Sequence, residues 1–304
     1  MKCFLWRFSS LAIFVSVAFL SAALSATPNV AITSRDAEVD GVKLHYLAAG
    51  HGPAVILLHG YTQTSRMWRP IIPLLAEKFT VIAPDLPGTG ESEIPKDGLD
   101  MKTAAIRVHA LARSLGIQKA EVVGHDIGLM VAYAYAAQFP TETEKLAVLD
   151  AFLPGVAGWE GVYDSPDIWH FRFHGPTPEA LVNGREQIYF AYFWNDLAAD
   201  KTRSLPKADR EAYVAAYSKP GRMHAGWDYF AAWPQTAKDF AQLAQTKLTI
   251  PVLAIGGEKS LGEVLGQQMK LVASDVTVVV LKDTGHWVME ERPKETMEAL
   301  LKFL

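Results

Sequence analysis

The segment that decides the fold is Ala120-Glu121-Val122-Val123-Gly124-His125-Asp126-Ile127-Gly128. Its first four residues are typical of a short strand buried on both faces, and an apolar helix is predicted from 127 to 139. Two glycines around one acidic residue permit a sharp turn that lifts the Asp126 side chain above the sheet. The pattern therefore indicates a nucleophilic carboxylate, against the alternative that Asp126 only caps the following helix.

Strands and helices alternate on both sides of this segment. Asp40-Gly41 is typical of the tight turn of a hairpin between 37 and 47. The alternation predicts an α/β fold with a mostly parallel sheet and helices on both faces. The predicted strands are 55–58, 80–83, 120–123, 146–149, 251–255 and 276–281, and the predicted helices are 65–78, 103–115, 127–139 and 292–304.

The alternation stops between 154 and 234, where no buried strand is predicted. Five of the eight tryptophans fall in this stretch, and an insertion of this length is too long for a plain loop. We predict a helical cap at 154–234 over the C-terminal edge of the sheet, where ligands bind in open α/β folds. The core is predicted to consist of 27–153 and 235–304.

Two further polar groups follow predicted strands and complete a hydrolytic set with Asp126. His286 follows the last strand, which is the place of a general base in chain order after nucleophile and acid. Asp150 follows the strand 146–149 and is predicted to orient the His286 imidazole. Glu258, after the next strand, is the alternative acid.

A hole for a developing oxyanion is predicted beside Asp126. His59-Gly60 follows another buried strand, so the main-chain N–H of Tyr61 is expected at the same sheet edge. Together with the N–H of Ile127 it would hold an oxyanion. A plain glycine turn is the alternative interpretation of His59-Gly60.

The composition excludes several classes of protein. The chain has 304 residues, 50% of them hydrophobic, and a formal net charge of −4. These values exclude a disordered chain, and the absence of a basic stripe argues against nucleic acid as a partner. The single cysteine, Cys3, excludes an intramolecular disulfide and a Cys-based zinc site. No metal or organic cofactor is predicted.

The N-terminus has the order of a secretory signal peptide. Lys2 and Arg7 precede an apolar run from 8 to 24, and small residues follow at 21–26. We predict a signal peptide at 1–26, cleaved after Ser25 or Ala26, and hence a secreted or periplasmic protein without stable membrane association. An uncleaved N-terminal anchor is the alternative, because the run approaches a spanning length.

From about residue 35 to its end, the chain resembles α/β-hydrolases of the epoxide hydrolase and dehalogenase group, in particular secreted bacterial epoxide hydrolases. The motifs that carry the resemblance are His59-Gly60, Val81-Ile82-Ala83-Pro84-Asp85-Leu86-Pro87-Gly88, His125-Asp126-Ile127-Gly128, Trp169-His170-Phe171 and Gly285-His286-Trp287. The resemblance implies an alkyl ester on Asp126 that water, activated by His286, then hydrolyses.

The resemblance also implies a His/Tyr pair in the cap that donates hydrogen bonds to the epoxide oxygen. His170 matches the His. Gapless matching places Phe230 where the group has its Tyr, and Tyr229 matches only if the helix shifts by one residue. We expect Tyr229 to be the second donor.

The activity implied is hydrolysis of a small neutral epoxide to a vicinal diol. A haloacid or haloalkane dehalogenase with the same nucleophile is one alternative, but Ile127 and Met130 stand where arginines would hold a haloacid carboxylate, and Phe171 replaces a halide-binding Trp. An inert secreted binding protein on a hydrolase fold is another. The sequence leaves the oligomeric state open between monomer and homodimer.

Overall fold

A computed structural model of the protein describes residues 30–202 and 204–304. The predicted signal peptide, 1–26, lies outside the described residues. One eight-stranded sheet has the order β1-β2-β4-β3-β5-β6-β7-β8. The strands are β1 Thr33–Val39, β2 Val42–Ala49, β3 Ala54–Leu58, β4 Thr80–Pro84, β5 Ala120–His125, β6 Thr143–Leu149, β7 Leu248–Gly257 and β8 Ala273–Leu281.

The sheet is parallel from β4 to β8 and antiparallel at the edge formed by β1 and β2. The predicted hairpin is confirmed, since Val39 pairs with Val42. Asp40 and Gly41 both have positive φ, +51° and +72°. Two positive φ values in a two-residue turn match the twist of the strands that it joins.

Helices cover both faces of the sheet, which confirms the predicted fold class. Alternate residues of β3 enter separate cores, because side chains of a strand point to opposite faces: Ile56 and Leu58 belong to one cluster and Val55 and Leu57 to the other. The helices are α1 Ile72–Leu75, α2 Met101–Ser114, α3 Ile127–Gln138, α4 Trp159–Tyr163, α5 Pro176–Val182, α6 Glu186–Asp196, α7 Lys207–Tyr217, α8 Arg222–Ala231, α9 Trp233–Leu243, α10 Gly262–Val272, α11 Val288–Glu291 and α12 Pro293–Phe303.

The predicted helix at 65–78 is wrong. The segment forms a 3₁₀ turn, Ser65–Trp68, and the single-turn helix α1. Pro70 and Pro73 interrupt the apolar spacing, and a proline inside a helix removes one hydrogen bond and clashes with the preceding turn. The apolar spacing of the segment is helical, but a prediction from spacing alone does not account for these two prolines.

The segment between β6 and β7 is helical, with α4 to α9 and a 3₁₀ segment, Pro166–Arg172. Helix α9 continues to Leu243, past the predicted boundary at 234, and its Phe240 packs edge-on against Tyr133 of α3, with ring centroids 5.2 Å apart. Residues of α4, of the 3₁₀ segment and of α6 lie around Asp126 and Asp150, which follow β5 and β6. No helix within the described ranges is long and apolar enough to cross a membrane.

Candidate active site

Asp126 lies in a strained turn between β5 and α3. Its φ of +53° and ψ of −124° are rare for a residue with a side chain. The flanking glycines make the turn possible: a Cβ on Gly124 would lie 2.1 Å from the Gly128 carbonyl oxygen, and a Cβ on Gly128 would lie 2.4 Å from that of Leu58. The turn therefore presents Asp126 at the C-terminal edge of the sheet, as the sequence predicted.

The Asp126 carboxylate is held by one main-chain donor and one imidazole. The Tyr61 N–H donates to Oδ1 at 2.6 Å, and His286 Nε2 lies 3.5 Å from Oδ2. Among the described residues, the N–H of Ile127, the first residue of α3, makes no such hydrogen bond to the Asp126 carboxylate. The Ile127 half of the oxyanion hole stays a prediction.

Asp126 and His286 form a mutually stabilised charged pair. Burial opposes ionisation of Asp126, but the contact with His286 outweighs it and lowers the pKa of the carboxyl. Burial likewise opposes protonation of His286, but its contacts with Asp126 and Asp150 outweigh burial and raise the pKa of the imidazole. At neutral pH the resting site therefore contains a carboxylate and an imidazolium.

The structure brings Asp150, and not Glu258, to His286. Asp150 is fully buried, and its Oδ2 lies 2.9 Å from His286 Nδ1. The Gly257 N–H and the Ser260 hydroxyl also donate to Asp150, at 2.8 and 2.6 Å. Glu258 is exposed and accepts a bond from the Asp283 N–H instead.

Glu291 anchors the His286 loop, and the sequence analysis missed it. Its buried carboxylate accepts bonds from the N–H groups of Gly285 and Trp287 in the loop and of Ala199 after α6, at 3.1, 3.3 and 2.9 Å. The only sequence feature that could have indicated this role is an acidic residue shortly after His286. Glu290 and Glu291, four and five positions after it, both have this feature. The sequence could not separate the two.

A cavity of about 640 Å³ opens above Asp126 and His286. Aromatic residues of the cap, Phe171, Tyr192 and Phe193, line its wall together with His170. A volume of this size and a wall that combines aromatic and polar side chains are typical of small-molecule sites. The residues with charged or ionisable side chains that line the cavity include Asp126, Asp150, Asp167, His170, Asp196, Lys259 and His286.

His170 lines the cavity as predicted, and its ring makes no hydrogen bond to any described residue. Its Nδ1 is buried without a partner, and the ring packs against Phe171, Phe193 and Phe230 at centroid distances of 4.4, 4.8 and 5.6 Å. Burial lowers the pKa of His170 to about 3. The ring is therefore a neutral hydrogen-bonding group at neutral pH.

The expectation for Tyr229 is wrong. Its hydroxyl is buried and donates to the Pro87 carbonyl at 2.9 Å, and Tyr229 does not line the cavity. The next residue, Phe230, packs on the cavity-lining rings of Tyr61 and Phe171, with centroid distances of 4.8 and 5.3 Å. Adjacent helical residues point about 100° apart, so the helix presents an aromatic ring without a hydroxyl at the position where a donor was expected.

The carboxylates of Asp126 and Asp150 both contact the imidazole of His286. No group of three or more His, Cys, Asp or Glu side chains within 30–202 and 204–304 is arranged to hold a metal ion.

Comparison with known proteins places the chain in one family. The family described as alpha/beta hydrolase fold matches residues 53–293. The chain belongs to this family. Its resemblance to the epoxide hydrolase and dehalogenase group is confirmed by relatives of both kinds.

Two relatives extend over nearly the whole chain. A soluble epoxide hydrolase from Corynebacterium sp. (strain C12) is 36% identical over 279 residues, which are 90% of this chain and 97% of that protein. A fluoroacetate dehalogenase from Burkholderia sp. is 28% identical over 284 residues, 88% of this chain and 92% of that protein.

A solved structure supports the same grouping. The Cif epoxide hydrolase from Acinetobacter nosocomialis superposes with a TM-score of 0.77 at 26% identity, covering 90% of this chain and 89% of that one.

Proposed function

We propose that this α/β hydrolase is an epoxide hydrolase that converts a small neutral epoxide into a vicinal diol. The observation that carries the proposal is the geometry around Asp126: a carboxylate held by the Tyr61 N–H, 3.5 Å from His286 and open to a cavity that His170 also lines. The Corynebacterium relative, a soluble epoxide hydrolase, supports the same activity.

In the first step, a carboxylate oxygen of Asp126 attacks one epoxide carbon, and the bond from that carbon to the epoxide oxygen breaks. His170 donates a hydrogen bond to this oxygen as it becomes an alkoxide. The proton that the alkoxide needs is available on His286. Once Asp126 is an uncharged ester, one of the two contacts that raised the pKa of His286 is lost, and the imidazole gives its proton to the alkoxide more readily.

In the second step, neutral His286 takes a proton from water, and the resulting hydroxide attacks the carbonyl carbon of the Asp126 ester. The oxyanion forms on Asp126 itself, where the Tyr61 N–H already donates. Collapse releases the diol, with the proton of His286 transferred to the departing oxygen. The acid form of Asp126 then returns a proton to His286, so that the sum is epoxide plus water to diol.

The environment of the nucleophile favours a neutral substrate. Ile127 and Met130 are buried apolar residues beside Asp126, and Met130 lines the cavity. Neither side chain can neutralise a substrate carboxylate, which would be desolvated at a cost of several kcal/mol. Asp167 and Asp196, also on the cavity wall, add negative charge that opposes an anion. Lys259 lies on the same wall and pairs with Glu258 at 3.6 Å.

Dehalogenation is the second candidate, because Phe230 leaves His170 without a Tyr partner and a halide leaving group needs no proton. The fluoroacetate dehalogenase relative supports it, and the apolar pair Ile127 and Met130 opposes it for haloacids. A neutral haloalkane remains compatible with the cavity.

The test traps the ester. Intact-mass spectrometry of the His286→Gln variant, incubated separately with epoxides, haloacetates and haloalkanes, is expected to show an adduct of the full epoxide mass on Asp126. The double variant with Asp126→Asn is the control and should show none. Adducts only from halogenated compounds, with loss of halide, would establish dehalogenation instead. The absence of any adduct would support the inert binding protein.

We further propose that the protein is exported by its N-terminal segment and cleaved after Ser25 or Ala26. The order of charged, apolar and small residues supports this. Mass analysis of the protein recovered from the periplasm or medium should give a chain that begins at Ala26 or Thr27. A full-length chain in the membrane fraction would support the anchor.

A further inference from the structure

A chain of hydrogen bonds runs behind the catalytic groups and ends on the main chain of His286. His125 Nε2 lies 3.0 Å from the His286 carbonyl oxygen, and His125 Nδ1 lies 3.2 Å from the side-chain amide of Gln63. The other end of that amide lies 2.8 Å from Glu290 Oε1. Two side chains, Gln63 and His125, therefore connect the Glu290 carboxyl to the main chain of His286.

The His286 end fixes the tautomer of His125. A carbonyl oxygen only accepts hydrogen bonds, so His125 Nε2 must carry a proton. The ring is completely buried, and this burial lowers the pKa of His125 to about 4. A neutral ring with a proton on Nε2 has a bare Nδ1, which can only accept a bond from Gln63.

The bare Nδ1 fixes the orientation of Gln63. The amide nitrogen must face His125, so the amide oxygen faces Glu290. The oxygen and nitrogen of an amide are exchanged by a half turn that leaves the contact distances unchanged, and the hydrogen-bond network decides between them. The coordinates place the Gln63 nitrogen 2.8 Å from Glu290 Oε1 and the Gln63 oxygen toward His125. Exchanging the two amide atoms, as the His125 tautomer requires, places an oxygen against Glu290 Oε1, and a proton on Glu290 is then needed between the two oxygens.

The surroundings of Glu290 agree with an uncharged carboxyl. Its Oε2 is buried and has no hydrogen-bond partner, which would be costly for a carboxylate. Burial raises the pKa of Glu290 to about 7. With Glu290 uncharged, each contact from Glu290 through Gln63 and His125 to the His286 carbonyl has one donor and one acceptor. With Glu290 ionised and His125 neutral, two acceptors face each other at one of these contacts.

We propose that Glu290, in its protonated form, is a positioning residue that holds the main chain of His286 in place through Gln63 and His125. This role rests on the proposed function, in which His286 activates water. Loss of the Glu290 proton removes one donor from the chain. The His286 carbonyl then loses its bond from His125 and keeps only the bond from the Val288 N–H, so the imidazole is less well aimed.

Other charges near Glu290 act on the same proton. The imidazolium of His286 favours ionisation of Glu290, whereas Asp209 of α7 opposes it. Asp209 is itself paired with Arg66, at 2.6 Å, and the hydroxyl of Tyr213 on the same helix is buried and interacts electrostatically with Glu290. The Oε2 atom of Glu290 has no hydrogen-bond partner among the described residues.

The protonation states can be read directly in the wild-type protein by NMR. At pH 6, the ¹⁵N shifts of His125, assigned with a His125→Gln variant, should show a protonated Nε2 and a bare Nδ1, and the Glu290 side-chain ¹³C shift should be that of a carboxylic acid. A proton on Nδ1 together with an ionised Glu290 would overturn the proposal. This readout requires no substrate, so it does not depend on the proposed activity.

The functional test compares Glu290→Gln with Gln63→Leu. The amide that Glu290→Gln introduces can donate as the acid does but cannot ionise. This variant should therefore match the wild-type kcat at pH 6 and keep that kcat at pH 9. The kcat of the wild type should fall by about tenfold at pH 9, because small misplacements of a catalytic group are costly. Gln63→Leu should lose about as much at both pH values. Glu298→Gln, on the exposed face of α12, is the control. Equal pH profiles for wild type and Glu290→Gln would refute the role.

Discussion

The Oδ2 atom of Asp150 lies 2.9 Å from Nδ1 of His286, and a separate set of donors holds Asp150 in this position. The Gly257 N–H and the Ser260 hydroxyl come from the end of β7 and the loop after it. The strand that could have supplied Glu258 as the acid instead supplies donors for Asp150. The orientation of His286 thus depends on two neighbouring strands.

Replacing Asp150 separates the two candidate acids. Asp150→Asn should lower kcat by about 10³ to 10⁴, because the amide no longer selects the His286 tautomer with a proton on Nδ1. Glu258→Gln, on an exposed side chain, should leave kcat within about twofold. Steady-state kinetics with an epoxide substrate checks both. A large loss in Glu258→Gln with little in Asp150→Asn would contradict the assignment.

A hydroxyl at position 230 should supply a second hydrogen-bond donor beside His170. Phe230→Tyr is expected to raise the rate of ester formation with epoxides by roughly tenfold, as a second hydrogen bond to the developing alkoxide would. Single-turnover kinetics in the His286→Gln background measures this step alone. Tyr229→Phe is the matched control: it should cost about 1 kcal/mol of unfolding free energy by losing the Pro87 bond and leave the rate unchanged. A slower rate of ester formation in Tyr229→Phe, with no change in Phe230→Tyr, would place Tyr229 at the substrate.

The close approach at the elbow should make Gly128 intolerant of any side chain. Gly128→Ala places a Cβ 2.4 Å from the Leu58 carbonyl oxygen and 2.5 Å from that of His59, and the strain should lower the free energy of unfolding by about 3 kcal/mol. Gly161→Ala, whose Cβ meets nothing within 4 Å, should be neutral or slightly stabilising. Chemical denaturation measures both. A Gly128→Ala variant of wild-type stability would exclude this packing.

The stability of the protein should depend on pH through Glu290. Because burial raises the pKa of Glu290 to about 7, the native state keeps a proton that the unfolded chain has released above its ordinary pKa, about 4.3. The free energy of unfolding contributed by this group therefore falls as pH rises between these two values. Glu290→Gln removes the dependence, so its Tm relative to wild type should be higher at pH 8 than at pH 5. A constant difference in Tm would indicate that Glu290 does not titrate in this range.

Several features were predictable because they depend on residues close in the chain. The strand–turn–helix pattern around Gly124-His125-Asp126 predicted the elbow, and the strand order in sequence predicted that Asp150 and His286 would lie at the same sheet edge. The helix at 65–78 was not predicted correctly, because apolar spacing was allowed to outweigh Pro70 and Pro73. Helix α10, whose buried face includes Leu265 and Met269, was not anticipated.

The sequence by itself predicted the mostly parallel sheet, a helical segment between the strands now numbered β6 and β7, and the sharp turn that presents Asp126, because hydrophobic periodicity and glycine turns are local properties. Only the tertiary structure decided which residue of α8 packs on the cavity-lining rings of Tyr61 and Phe171. That residue is Phe230, whereas Tyr229, about 100° away around the helix, donates to the Pro87 carbonyl. The tertiary structure also decided the contacts of Glu290 and Glu291. These carboxyls are adjacent and chemically identical in the sequence, but long-range packing places one against Gln63 and the other against the N–H groups of the His286 loop.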